Sequence, residues 1–282
     1  MSRLEIVDDS GPLKLSASQA AKLGKCEMRW VLGKLSPDEG GSGPRPSYFI
    51  LGDLVHAGFQ AWGSGKNPFD AMLALSGEFG LNYDTDETVR KARSIMLYWV
   101  ELNGPERHIL MGTELPFDIE IPGTKGVRVR GFFDGVRRIP AEDGIRTHDT
   151  YRVEEYKTMG RWGRDAYVRE AIDTHLYIWA ASQQYPNVTG LDFQAISTYD
   201  YKPTGDDEAD AAKRFRLIEV EYDQRFIDRM LGDLRAVATR GQALLKKPSL
   251  AIKNIGDDCR RCEHKTQCLR PWDYDPDWRE LS

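Results

Sequence analysis

The chain has 282 residues, 40% of them hydrophobic and 10% aromatic, which suits one large or two small packed domains and excludes a disordered chain. Its net charge of −5 argues against a generally basic nucleic-acid coat protein but leaves room for a basic groove on an acidic body. The first residues, MSRLEIVDDSGPLKLS, lack the apolar core of a signal peptide, and no stretch approaches the ~18 apolar residues of a membrane span, so a cytoplasmic protein without a membrane partner is expected.

Residues 1–10 read as a loose lead-in. Ser16 or Ser18 then caps a helix that the pattern carries through Cys26 to about Leu32, with Leu15, Cys26 and Trp30 toward a core. A loop rich in glycine and proline runs from Ser36 to Pro46. Leu51, Val55 and Phe59 form the stripe of the next helix, where Gly52 and His56 share a face. A histidine so placed is more often a core residue than a ligand. Asn67 and Pro68 open another helix, and Asp86–Leu102 makes a longer amphipathic one with Val89, Ile95, Met96, Trp99 and Val100 inward. Strands are expected at Ile109–Ile121, carrying Glu114, and at Arg128–Ile139. After a loop at Met159–Arg164 comes one helix across roughly Asp165–Tyr185, then a strand at Leu191–Tyr199 and a solvated polar turn at Lys202–Asp210. Phe215–Tyr222 alternates as a strand, and a long helix, Phe226–Leu245, is stopped by Pro248. This order predicts an α/β (mixed α+β) fold, a central mixed sheet flanked by helices.

The stretch Val127–Thr158 carries the most chemistry. Tyr151–Thr158 reads as a short strand, and Pro140–Gly144 as the hairpin connection from the strand before it. Antiparallel pairing would bring Asp134 beside Glu155 and Lys157, which a strand projects from one face. Two carboxylates and an ammonium suit a hard divalent cation acting on a phosphate, with the lysine positioning water or neutralising developing charge. The same pattern is also met as a surface hairpin with solvated charges.

All four cysteines enter one further pattern. Cys259, Cys262 and Cys268 form C-x2-C-x5-C, and Cys26 lies over 230 residues earlier. In a reducing compartment four thiols are better read as ligands than as disulfides. Spacing alone leaves zinc and an iron–sulfur cluster about even, with His264 as a substitute ligand. Either would staple the N-terminal helix to the C-terminal tail.

With these residues in hand, the chain resembles the RecB-like nucleases of the PD-(D/E)xK superfamily, and most of all the iron–sulfur branch that includes AddB nuclease domains and small CRISPR-associated and phage-encoded exonucleases. The resemblance rests on Cys26-Glu-Met-Arg-Trp, Gly52-x3-His56, Gly131-Phe-Phe-Asp134, Glu154-Glu155-Tyr156-Lys157-Thr and the cysteine triplet, in the family's order over almost the whole chain. It implies a restriction-endonuclease-like core in which His56, Asp134, Glu155 and the carbonyl of Tyr156 coordinate Mn2+ or Mg2+. Glu114 would support that site, Lys157 would be the catalytic lysine, and Asp134 and Glu155 would share the catalytic work. Cys26, Cys259, Cys262 and Cys268 would hold a [4Fe–4S] cluster as an iron–sulfur clasp. The implied layout is a helical region over 1–105, a nuclease core over 106–250 and a cluster-binding segment over 251–282.

One motif departs from the family. Its Gln-x3-Tyr helix is here Asp173-Thr-His175-Leu-Tyr177-Ile-Trp179, and the sequence favours His175 with Trp179 over Asp173 with Tyr177. DNA contacts are expected from Arg161, Trp162, Arg164, Arg169, His175 and Trp179, since aromatic and basic residues in alternation suit single strands. Arg260 and Arg261 are candidates beside the cluster. The implied activity is a metal-dependent DNA exonuclease acting on single strands or DNA ends in recombination, repair or CRISPR-type adaptation. It would work beside a helicase, recombinase or integrase, in a bacterial, archaeal or phage-infected cell. The alternatives are a cluster- or zinc-stapled single-strand-binding adaptor without turnover, and a flap or structure-specific endonuclease.

Overall fold

The computed structural model describes residues 13–35, 46–103, 110–141, 147–160, 164–199, 207–256, 259, 262–265 and 268. In chain order these form β1 (Leu13–Leu15), α1 (Ala17–Lys25), α2 (Glu27–Leu35), α3 (Ser47–Gly63), α4 (Pro68–Glu78), α5 (Glu87–Asn103), β2 (Leu110–Glu120) and β3 (Val127–Ile139). There follow β4 (Thr150–Met159), α6 (Asp165–Arg169), α7 (Ile172–Ser182), β5 (Val188–Ser197), α8 (Asp207–Arg214), β6 (Phe215–Glu221) and α9 (Gln224–Lys246). Contacts gather them into two units, one from Met1–Pro44, Phe117–Gly131 and Arg225–Ser282, the other from Arg45–Pro116 and Phe132–Gln224.

The second unit is a mixed sheet with helices packed on it. β3 and β4 are antiparallel, with Gly135 opposite Glu154 and Ile139 opposite Thr150. β4 and β5 are parallel, and β5 and β6 antiparallel. A parallel neighbour needs a crossover, and α6 with α7 supplies it between β4 and β5. Leu51, Val55 and Phe59 of α3 are buried as the stripe predicts, with Val89, Ile95, Met96 and Trp99 of α5, against Tyr156 of β4 and Ile196 of β5. Phe59 stacks on Tyr156 with ring centroids 4.5 Å apart, and Trp99 meets both rings edge-on. Offset and edge-to-face packing of this kind adds about 0.5–1.5 kcal/mol per pair beyond burial. Asn67 caps α4 by accepting the Phe69 N–H at 3.0 Å. Asp86 caps α5 through the Thr88 and Val89 N–H groups.

In the first unit, β1 pairs parallel with the start of β3, Leu13 opposite Val127. Three residues are too few to signal a strand in sequence. α9 buries Ile227, Met230, Leu231, Leu234, Ala238, Gly241 and Leu244, a helical stripe. A side chain at Gly241 would place its Cβ 3.0 Å from Leu23 and 3.2 Å from Leu13, so the missing Cβ sets how closely α9 approaches.

Three expected elements differ. The first helix is two, because Cys26 is extended (φ −154°, ψ 105°) between α1 and α2. Ser16 caps α1 in a reciprocal capping box with Gln19. Glu27, opening α2, is held by Nε and Nη2 of Arg240 at 2.6 and 2.7 Å and by the Ile252 N–H at 2.8 Å, contacts that favour a fresh start after Cys26. The helix expected over 165–185 breaks at Ala171 (φ −68°, ψ 137°), where the Arg169 carbonyl accepts from the His175 ring at 2.7 Å. The polar turn at Lys202–Asp210 becomes, from Asp207, the start of α8, whose last turn carries Lys213 and Arg214 as the helix dipole favours. Residues 1–12, 36–45 and most of the 140–144 connection lie outside the described residues. Among the described residues no helix is long and apolar enough to cross a membrane.

Candidate active site

The strand pairing sets one half of the site. Asp134 and Glu155 follow directly from the Gly135–Glu154 pair in the β3–β4 register. Asp134 Oδ2 accepts the Tyr156 backbone N–H at 2.8 Å, which locks the carboxylate on the β4 main chain. The pleat sends the Tyr156 ring into the aromatic core, and Glu155 and Lys157 away from it.

α3 brings the other half. His56 Nε2 lies 2.8 Å from Asp134 Oδ1. Gln60, one turn further, donates to Glu114 Oε1 at 2.6 Å, and the same nitrogen is 2.8 Å from His56 Nδ1. Sequence reasoning missed Gln60; its one signal was the i, i+4 spacing from His56. Glu114 has φ 52°, a left-handed conformation uncommon in a residue with a Cβ, and such strain gathers at functional sites. One ligand atom each from His56, Glu114 and Asp134 stand within 4.8 Å of one another.

The charges respond to this crowding. Burial opposes an imidazolium at His56, but the Asp134 hydrogen bond and charge, with Glu114, prevail and raise its pKa. Burial, then the charges of Asp134, Asp173 and Glu114, push the Glu155 carboxyl well above the usual range, and Lys157 opposes them. Glu114 is raised by burial and Asp134. Carboxylates that disfavour one another's charge, with an imidazole beside them, form a donor set suited to a hard divalent cation.

α7 faces this site in the register the sequence disfavoured. His175 is buried with its Nε2 on the Arg169 carbonyl, and Trp179 is buried as well. Tyr177 is the residue whose hydroxyl feels Glu155, Asp134, Asp173 and Glu114, and burial with these charges drives its pKa strongly upward. Asp173 is exposed and acts on Glu155. Arg164 is exposed ahead of α6, while Arg169 donates to the Glu219 carbonyl at 2.6 Å. Arg161, Trp162, Arg260 and Arg261 lie outside the described residues.

The four thiols line one pocket in the first unit, with Lys253 and His264. Arg29 grips Glu263 at 2.7 and 3.1 Å, Lys253 Nζ donates to the Cys268 carbonyl at 2.5 Å, and Asn254 to the Lys25 carbonyl at 2.9 Å. The Arg29 and Asn254 contacts hold the N-terminal helices to the C-terminal segment, and the Lys253 bond ties that segment to itself. Burial and the other three thiols raise the Cys268 pKa.

Comparison with known proteins bears on the family of the chain. No curated protein matches the chain closely enough to count as a relative. A crystal structure from Eubacterium rectale, described as a candidate exonuclease, shares 11% identity over 93% of this chain and 92% of that one, with a TM-score of 0.56, a likeness of fold. The protein SSO0001 shares 12% identity over 91% of this chain and 86% of that one, and its TM-score of 0.41 is too low to argue from. The model of one family runs from residue 14 to residue 269, taking in both His56 and the β3–β4 carboxylates as well as every cysteine, so the chain belongs to the PD-(D/E)XK nuclease superfamily.

Proposed function

We propose that this nuclease is a metal-dependent DNA exonuclease acting on single strands or DNA ends. The observation that carries the reading is the meeting of His56, Glu114 and Asp134 within 4.8 Å beside Glu155 and the exposed Lys157. His56, Asp134 and Glu155, with the Tyr156 carbonyl, would hold Mn2+ or Mg2+, and Glu114 would support the site. A cation bound there supplies Lewis acidity and a more acidic water. Lys157 offers its ammonium to charge developing on the phosphate. Asp134 stays oriented through the Tyr156 N–H, and Asp173 and Tyr177 border the substrate side. A role in recombination, repair or adaptation, beside a helicase, recombinase or integrase, belongs to the same reading.

The thiol pocket supports a [4Fe–4S] cluster held by Cys26, Cys259, Cys262 and Cys268. Four thiolates around one pocket, one of them remote in sequence, would complete a cluster's ligand set without an imidazole or a carboxylate. With four protein thiolates its role is structural.

The test is cleavage of a single-stranded oligonucleotide labelled at either end, in Mn2+, Mg2+ or EDTA, with Lys157→Ala as control. Metal-dependent release of end label, lost in the variant, is the expected result. Internal cuts without end release would replace the exonuclease with an endonuclease. Binding without any cleavage would replace it with an adaptor.

A further inference from the structure

We propose that His264 donates a hydrogen bond from Nδ1 to a sulfur of the group held by the four cysteines, and so sets the potential of that group. The inference rests on the cluster reading above. His264 is 4% exposed and lies on the wall of the thiol pocket. Its Nδ1 has no hydrogen-bond partner among the described residues. The Nε2 edge of the ring is turned to α2, where a Cβ added at Gly33 would stand 3.4 Å from it. The backbone of His264 is occupied too, its carbonyl accepting the Cys268 N–H at 2.9 Å.

A buried ring nitrogen left without a partner bears its whole desolvation cost, and native proteins seldom leave one. The pocket offers acceptors of one kind in quantity, the cysteine sulfurs and whatever sulfide they surround. Arg29 and Lys253, on the same wall, are engaged with Glu263 and the Cys268 carbonyl. Lys265 lines the pocket too, and the Gly256 N–H already donates to Cys259 Sγ at 3.5 Å, but His264 is the buried side chain there whose ring nitrogen has no partner among the described residues. It stands two residues after Cys262 and four before Cys268, on the turn that carries both ligands. A donor to sulfur stabilises the more negative, reduced cluster, so it raises the reduction potential. His264 acts through the cluster and not on the substrate; it is a positioning residue.

The test uses the full chain, isolated without oxygen. Metal content comes first: iron and sulfide in cluster proportion keep the cluster reading, and zinc in their place removes it and this proposal with it. The midpoint potential is then measured at one pH, by reductive titration followed by electron paramagnetic resonance, for the native chain, His264→Phe and His264→Gln. The expected result is full iron in all three, a more negative midpoint in His264→Phe by roughly tenfold in the reduction equilibrium, ~59 mV for one electron, and partial recovery in His264→Gln. Protein labelled with 15N-histidine should show a weak nitrogen coupling to the reduced cluster that His264→Gln removes, a measurement that stands even if the phenylalanine variant does not fold. Equal midpoints with intact clusters would overturn the proposal while sparing the cluster. So would a coupling as strong as that of a directly bound nitrogen, which would make His264 a ligand.

Discussion

The Gln60 amide nitrogen stands 2.6 Å from Glu114 Oε1, joining the helix that carries His56 to the strand that carries Glu114. The same nitrogen at 2.8 Å from His56 Nδ1 fixes the ring's orientation, and Asp134 meets the other edge. Partners of this kind orient metal ligands without touching the metal, and losing one costs roughly 10–100-fold in metal affinity or activity. Gln60→Leu should weaken Mn2+ binding by that order in calorimetry, with melting temperature nearly unchanged. An unaltered Mn2+ affinity would remove Gln60 from the site.

Lys157 and Asp134 should separate binding from chemistry. The Lys157 charge opposes protonation of His56 and offsets the carboxylates around Glu155. It also repels a cation. Lys157→Ala should therefore bind Mn2+ as tightly as the native chain or more so, while cleavage falls by roughly 10²-fold or more, the scale of losing one electrostatic stabiliser. Asp134→Ala should lose both. Equal loss of Mn2+ affinity in the two variants would contradict this division.

The clasp between Glu27 and Arg240 gives a pH dependence of known sign. The Arg240 hydrogen bonds hold the Glu27 carboxyl below its ordinary value against the opposing effect of burial. A lowered folded pKa contributes stability that is present above the unfolded value, ~4.3, and lost as pH falls through the folded one. Thermal melts of the native chain and Glu27→Gln should differ modestly at neutral pH, because the pair is partly exposed. The gap should close on acidification below about pH 4. A gap that widened in acid would mean the ion pair is not its source.

The β3–β4 pair and the helical stripes of α3, α5 and α9 were legible because local periodicity encodes them. Asp134, Glu155 and Lys157 could be placed together for the same reason, since strand alternation and one hairpin suffice. Gln60 was not legible, because its partner Glu114 lies 54 residues away and an exposed-looking glutamine on a helix carries no signature. The breaks at Cys26 and Ala171 were hidden for a related reason. Tertiary contacts of Glu27 and His175 interrupt patterns that propensity alone would continue. Nor can a linear reading foresee units assembled from non-contiguous stretches.

α7 provides the last test, because its sequence admits two registers with the same i, i+4 spacing. The break at Ala171 resets the helical phase, and the large apolar face of Trp179 goes to the core, where burying an aromatic side chain contributes most. That leaves Asp173 and Tyr177 turned to the carboxylates. Trp179→Ala should destabilise the protein by about 3–5 kcal/mol, the range for deleting a buried aromatic. His175→Ala should do so by less, through loss of the bond to the Arg169 carbonyl. Tyr177→Phe and Asp173→Asn should keep the native melting temperature and impair cleavage. Denaturant unfolding and oligonucleotide cleavage measured on all four variants separate the registers. If the Trp179 and His175 variants fold like the native chain but fail to cut, while those at Asp173 and Tyr177 cut normally, then the pair that meets DNA is His175 with Trp179.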